Sequence, residues 1–170
     1  MANEYSDGQA LQALDLLFKY LPDAYEHGAN APVAREKVHN GATIAGIAFA
    51  NAFLGICHSM AHKLGAEFHL AHGLANALLI TNVIRFNATD LPTKQAAFSQ
   101  YDRPKALCRY AKIAEYLKLE GATGEGISDE EKVEALLKKI DELKETIGIP
   151  RSIQAAGVNE ADFIAKLDEL

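Results

Sequence analysis

Residues 57–73 read CHSMAHKLGAEFHLAHG and hold four of the chain's six histidines, His58, His62, His69 and His72. His58 and His62 are four apart, which on a helix sets both imidazoles on one face about a turn from each other. Gly65 is expected to end that helix near Leu64. His72 then stands before Gly73 and a second apolar run. The pattern predicts a helix, a short loop, and a histidine returned to the first two. Imidazole is the commonest side-chain metal ligand and the usual proton carrier near neutral pH. A lone histidine on an Ala/Leu-rich helix is ordinarily a packed core residue; three at converging positions point instead to metal or proton chemistry.

The zinc metalloprotease helix motif needs Glu directly after its first His as general base. Ser59 occupies that position here, which excludes that chemistry.

Working outward, no charged residue occurs from Asn40 to Cys57, and TIAGIAFANAFLGIC (43–57) is strongly apolar. Its length approaches a bilayer span, but Gly41, Gly46, Gly55, five alanines and Asn51 dilute it and no basic flank follows. A helix from Pro32 to about Ala52, buried on all sides, is the expectation. Val33, Val38, Ile44, Ile47 and Ala48 form its inner stripe, with the three glycines as places of close helix approach or bending. Asn51 is expected to be buried and bonded to backbone. Downstream, GLANALLITNVIRF (73–86) reads as another buried helix.

The remaining chain is also helical in pattern. Ser6 or Asp7 caps a first helix with Leu11, Leu14, Leu17, Phe18 and Leu21 on one face, closed by Pro22. Residues 87–102 are a mixed polar stretch, expected to be irregular with one short helical turn. Pro104 opens a helix to about Leu119, striped by Leu107, Tyr110, Ile113, Ala114 and Leu117. Ser128 and Glu131 make a capping box for a helix to about Ile147, stopped by Gly148 and Pro150. One short helix over 151–156 and a last helix capped by Asn159 and still in stride at Leu170 complete the list. The expectation is an all-α fold, a helical bundle of seven or eight helices in one domain over residues 1–170.

At 170 residues, 49% apolar and 24% charged, the chain is long enough for one sizeable core. A net charge of −6, with Lys/Arg never clustered beyond a pair, excludes nucleic acid as the main partner. MANEYSDGQ has neither the basic nor the apolar region of a signal peptide. Cys57 and Cys108 follow no metal or redox spacing, so both read as reduced thiols of a cytoplasmic protein, Cys57 as a small core filler. No membrane partner is expected. His27 and His39 read as surface residues, and His69 as a surface residue or one beside the ligands.

The stretch GIAFANAFLGICHSMAHKLGAEFHLAHGLANALL (46–79) resembles the iron-dependent (group III) alcohol dehydrogenase family. It carries Gly-x-x-His-x-x-Ala-His-x-x-Gly from Gly55 to Gly65, followed by His72-Gly73. MANEYSDGQALQAL (1–14), RFNATDLPTKQAAFSQYDRPKA (85–106) and IGIPRSIQAAGVNEADF (147–163) are most similar to the C-terminal alcohol dehydrogenase part of the bifunctional aldehyde-alcohol dehydrogenases. The resemblance implies the C-terminal helical domain of that fold. It also implies reduction of acetaldehyde or another short aldehyde to the alcohol in ethanol fermentation, with Fe(2+), or Zn(2+), and NAD(H) as cofactors.

The resemblance maps two metal ligands onto His58 and His72. It maps the nicotinamide-facing, proton-moving position onto His62 and an aromatic wall of the substrate pocket onto Phe49, with Phe53 beside it. Ala71 departs from the family's usual Pro before the last His. The family's Asp-x-x-x-His ligand pair and its nucleotide-binding domain lie upstream of the position matching Met1. The chain is therefore expected to be a fragment, or else a product starting at an internal Met, with the missing N-terminal part of the enzyme as a partner. By itself it should bind iron or zinc weakly and turn over no nicotinamide. The relatives assemble into filaments, so a homo-oligomer is implied. Two rivals stand beside the enzyme: a non-catalytic assembly module retaining half of the metal site, and a metal-sensing bundle.

Overall fold

Seven α-helices and two short 3-10 turns, with no strand, account for the regular structure among the described residues. The computed structural model describes residues 2–89 and 105–169. The helices are α1 (Glu4–His27), α2 (Pro32–Ala52), α3 (Ile56–Phe68), α4 (His72–Asn87), α5 (Ala106–Tyr116), α6 (Asp129–Thr146) and α7 (Glu160–Ala165). The 3-10 turns are Gly28–Asn30 and Leu167–Glu169. The all-α expectation is met. The polar stretch expected to be irregular falls mostly on residues 90–104, and Pro104 as a helix opener with it, outside the described residues. Two compact units divide the chain, Met1–Ile80 with Glu142–Leu170, and Thr81–Asp141.

In the first unit α1 and α2 pack as a hairpin. The start of α1 differs from expectation. Asn3, not Ser6 or Asp7, is the N-cap: its Oδ1 accepts from Ser6 N–H and Ser6 Oγ accepts from Asn3 N–H, both at 3.0 Å. Ser6 is thus the reciprocal member of a capping box and is buried. Pro22 does not close the helix; α1 runs through it to His27, whose Nδ1 bonds Asp23 at 2.8 Å, and Gly28 caps it at φ 53°. An interior proline costs about 3 kcal/mol, and packing against α2 is what offsets it. At the crossing Gly41 gives close helix approach: a Cβ there would meet Leu16 Cβ and Leu17 Cγ at 3.3 Å, tight enough that these side chains would have to give way. The close approach expected of Gly41 is therefore present, whereas Gly46 and Gly55 have nothing within 4 Å of the same position.

The expectation that α2 is buried all round is corrected. Its buried residues are Ala34, Gly41 and Ala48, a narrow small-residue face against α1. Val33 is 61% exposed and Ile47 46%, so neither belongs to an inner stripe. Asn51 is exposed as well, though its Nδ2 does donate to Ile47 O at 2.7 Å. No single described helix is long and apolar enough to cross a membrane; α2 and α3 would qualify only together, and they meet at a 109° bend.

The end of the chain also departs from the pattern. Residues 151–157 form hydrogen-bonded turns rather than a helix, with Ala156 N–H reaching Ser152 O and Ile153 O. Asn159 caps α7 as expected, its Oδ1 accepting from Ala161 and Asp162 N–H. That helix closes at Ala165 instead of continuing. Lys166 pairs with Glu67, fastening the segment after α7 to α3.

In the second unit Ala114, Ala122 and Leu136 form the buried centre, with Tyr110, Ile113 and Leu117 of the expected α5 stripe packed around it. α6 begins as expected: Ser128 N–H donates to Glu131 Oε2 at 2.8 Å and Glu131 N–H to Ser128 Oγ at 3.2 Å.

Candidate metal centre

The corner between α2 and α3 sets up the site. Phe53 ends α2 at φ 67°, ψ 167°, a region nearly reserved for glycine, with its N–H on Phe49 O at 2.8 Å. Gly55 then starts α3. The turn aims the first turn of α3, carrying Cys57 and His58, back past Phe49, whose ring centre is 6.4 Å from that of His58.

α3 is longer than expected. Gly65 lies inside it, because the helix runs to Phe68, and it is the chain's return that needs this glycine: a Cβ would come 3.0 Å from Leu70 O. His69 terminates α3 in the left-handed region at φ 54° and is exposed; the ring contacts of the cluster join His58, His62 and His72. Two residues on, Ala71 O accepts from Ala75 N–H as α4 begins.

This fold-back brings three rings together. His58 and His72 have ring centres 5.3 Å apart, His62 and His72 4.9 Å, and His58 and His62 6.5 Å. Two imidazoles on one metal, each at a metal–nitrogen distance of about 2.1 Å, have ring centres roughly 5 Å apart. His72 satisfies that with either partner, while His58 and His62 are too far apart to share one ion closely. No group of three or more His, Cys, Asp or Glu among the described residues closes a metal site. The donor set fits a borderline divalent metal and fits it as half a coordination sphere.

Burial, and then the charges of His72 and His62, push the His58 imidazole below its ordinary range, favouring the neutral ring with a lone pair to give. Burial pushes the Cys57 thiol up, in keeping with a buried filler whose Sγ–H reaches Asn76 O at 3.7 Å. His62 and His72 are exposed, His58 half-buried. Phe49 and Phe53, expected to wall a pocket, are 47% and 66% exposed; Phe49 is the one of the two whose ring lies against a histidine of the cluster, His58. His27 and His39 lie at the surface as expected.

One residue of the site escaped the sequence reading. Asn76, one turn along α4 from His72, places Nδ2 3.2 Å from His72 Nε2 and donates to His72 O at 3.1 Å. Its four-residue spacing from His72 was the available signal.

The chain resembles proteins of one kind throughout. The profile of the Fe-containing alcohol dehydrogenase family, C-terminal part, matches residues 1–169. The bifunctional aldehyde-alcohol dehydrogenase AdhE of Escherichia coli K12 is 64% identical over 170 residues, all of this chain and 19% of that protein. An aldehyde-alcohol dehydrogenase of Clostridium acetobutylicum is 53% identical over 169 residues, 99% of this chain and 19% of that one. Among solved structures, a 1,3-propanediol oxidoreductase superposes with a TM-score of 0.78 at 34% identity, covering 98% of this chain and 39% of that one. The chain thus spans about a fifth of the length of these curated relatives. With the profile running nearly end to end and the histidine motif inside it, the chain belongs to the Fe-containing alcohol dehydrogenase family and corresponds to its C-terminal part.

Proposed function

We propose that this chain is the helical, metal-holding part of an iron- and NAD-dependent alcohol dehydrogenase that reduces acetaldehyde or another short aldehyde in the cytosol. His58 and His72 would hold the metal, with the remaining ligands and most of the nicotinamide site supplied from outside this chain. Held by these residues, a divalent iron would supply Lewis-acid polarisation of the aldehyde oxygen. His62 hands a proton to the nascent alcohol oxygen through a ring nitrogen, a task suited to imidazole near neutral pH. Phe49 and Phe53 exclude water and limit the length of the aldehyde. Zinc is an alternative occupant, since neutral imidazole suits both metals.

The observation that supports this reading is the convergence of the three rings on the α3–α4 fold-back, with His58 and His72 5.3 Å apart. Ring distance alone would admit His62 as a ligand; the division of roles between His58 and His62 rests on the family motif. The exposed Phe49 ring against His58 and the exposed Phe53 at the α2–α3 corner favour a site completed by more of the enzyme over a free-standing sensor.

The test is anaerobic equilibrium dialysis of iron(II) against the chain and its variants. Weak binding that His58→Ala and His72→Ala each abolish, and that His62→Ala alters less than about threefold, is the expected result. Binding indifferent to His72→Ala would overturn the assignment.

A further inference from the structure

We infer that Asn76 is a positioning residue that holds His72 in the Nδ1–H tautomer, so that Nε2 carries a lone pair and no proton, and a ligand has only the amide hydrogen to displace. The inference rests on the reading of His72 as a metal ligand for its purpose, though the tautomer itself follows from the hydrogen bonds.

Two acceptors converge on one side of the Asn76 amide. His72 O lies 3.1 Å and His72 Nε2 3.2 Å from the same side-chain atom. A carbonyl oxygen can only accept, so the atom facing it must be the amide nitrogen. The flipped amide would set two oxygens against each other. Nδ2 carries two hydrogens, one for each acceptor. The bond to Nε2 requires that this nitrogen bear no proton, so in the neutral ring the proton sits on Nδ1.

The rest of the residue is consistent with this role. Asn76 Oδ1 is shielded from solvent and has no hydrogen-bond partner among the described residues. An unpaired buried acceptor is unfavourable, and an apolar side chain would avoid it. The amide is retained in an orientation that serves its nitrogen. Its backbone is held from the other side: Asn76 O accepts from Cys57 Sγ–H at 3.7 Å, next to His58 on α3. One residue therefore ties together the two helices that carry the proposed ligands and selects the proton position on one of them. When a ligand takes the Nε2 lone pair, Nδ2 keeps the His72 carbonyl, so the amide nitrogen is not stranded.

The experiment is a two-bond 1H–15N correlation spectrum of the metal-free 170-residue chain at about pH 8.5, where imidazoles are neutral. His72 is assigned by its absence in His72→Ala. The wild type should show Nδ1–H. Asn76→Ala should lower the Nδ1–H to Nε2–H ratio by about tenfold, the worth of one such bond. Asn76→Asp should reverse the preference, because a carboxylate can only accept and must draw the proton to Nε2. A purely structural role for Asn76 would not invert with that change. Retained helicity and unchanged signals of the other histidines certify the fold. Should the Asp variant not fold, the wild-type spectrum and the Ala variant decide. A wild-type His72 in the Nε2–H form, or a ratio unmoved by Asn76→Ala, overturns the inference. An Nδ1–H ring together with iron(II) binding indifferent to His72→Ala would instead support the tautomer and fail the ligand assignment.

Discussion

Phe53 sits at φ 67°, ψ 167° with its ring mostly in solvent. A side chain held in this region stores about 1–3 kcal/mol of strain, and glycine there would forfeit about 0.5–1 kcal/mol of unfolded-chain entropy. Little packing is lost on removing an exposed ring. Phe53→Gly is therefore expected to stabilise the chain by about 1 kcal/mol, seen as a melting temperature about 2–4 °C higher. In the complete enzyme the same change should weaken selection for short aldehydes. A lower melting temperature would mean that the backbone at this corner is relaxed and the ring is packed. The convergence of His58, His62 and His72 was legible in the sequence, because a four-residue spacing and a histidine set before a second helix have a direct geometric consequence. The strain at Phe53 was not, since no local preference leads an aromatic residue into a glycine region; only the corner imposed by α2 and α3 does. The burial expected of Asn51, Val33 and Ile47 also failed. Apolar composition says that a surface is to be covered, not that this chain covers it.

At the scale of elements, the return from α3 to α4 depends on Gly65. Alanine would gain about 1 kcal/mol of helix propensity, but its Cβ would lie 3.0 Å from the Leu70 carbonyl, a backbone atom that cannot rotate away. Overpacking of this kind costs about 1–3 kcal/mol. Gly65→Ala should lower stability by about 1 kcal/mol in urea titration and weaken iron(II) binding several-fold, by shifting His72 against His58. An unchanged affinity would show that the loop absorbs the methyl group. The start of α6 gives a second prediction. The Ser128 backbone N–H, and then its hydroxyl, hold the Glu131 carboxyl below its ordinary value of 4.5. A depressed folded-state value means that the contribution is present above that ordinary value and is lost as pH falls through the lowered one. The melting-temperature advantage of wild type over Glu131→Gln should thus be constant at neutral pH and shrink from about pH 5 downward. That capping box was readable from Ser128 and Glu131 alone, because both partners are three residues apart. Pro22 misled for the converse reason: a breaker's effect is local, while the packing that carries α1 past it comes from α2.

For the whole molecule, the question is what these 170 residues can do by themselves. The described residues contain no group of three ligating side chains close enough to close a metal site, and the chain covers 19% of its Escherichia coli relative. Two imidazoles leave half of a four-coordinate sphere to water, so iron(II) should exchange readily. The isolated chain is expected to bind iron(II) only weakly and to oxidise no NADH with acetaldehyde, even when loaded with metal. Adding the upstream part of such an enzyme as a separate chain should tighten iron(II) binding by at least about tenfold and restore turnover. Both gains should disappear with His72→Ala. The exposed apolar side chains Phe49, Phe53 and Leu54 give a physical reason for association, because burying even part of them contributes roughly 25 cal/mol per Å². Turnover by the chain alone would overturn this division of labour. It would require the missing ligands and the nicotinamide site to come from a second copy, which a dependence of rate on the square of chain concentration would reveal.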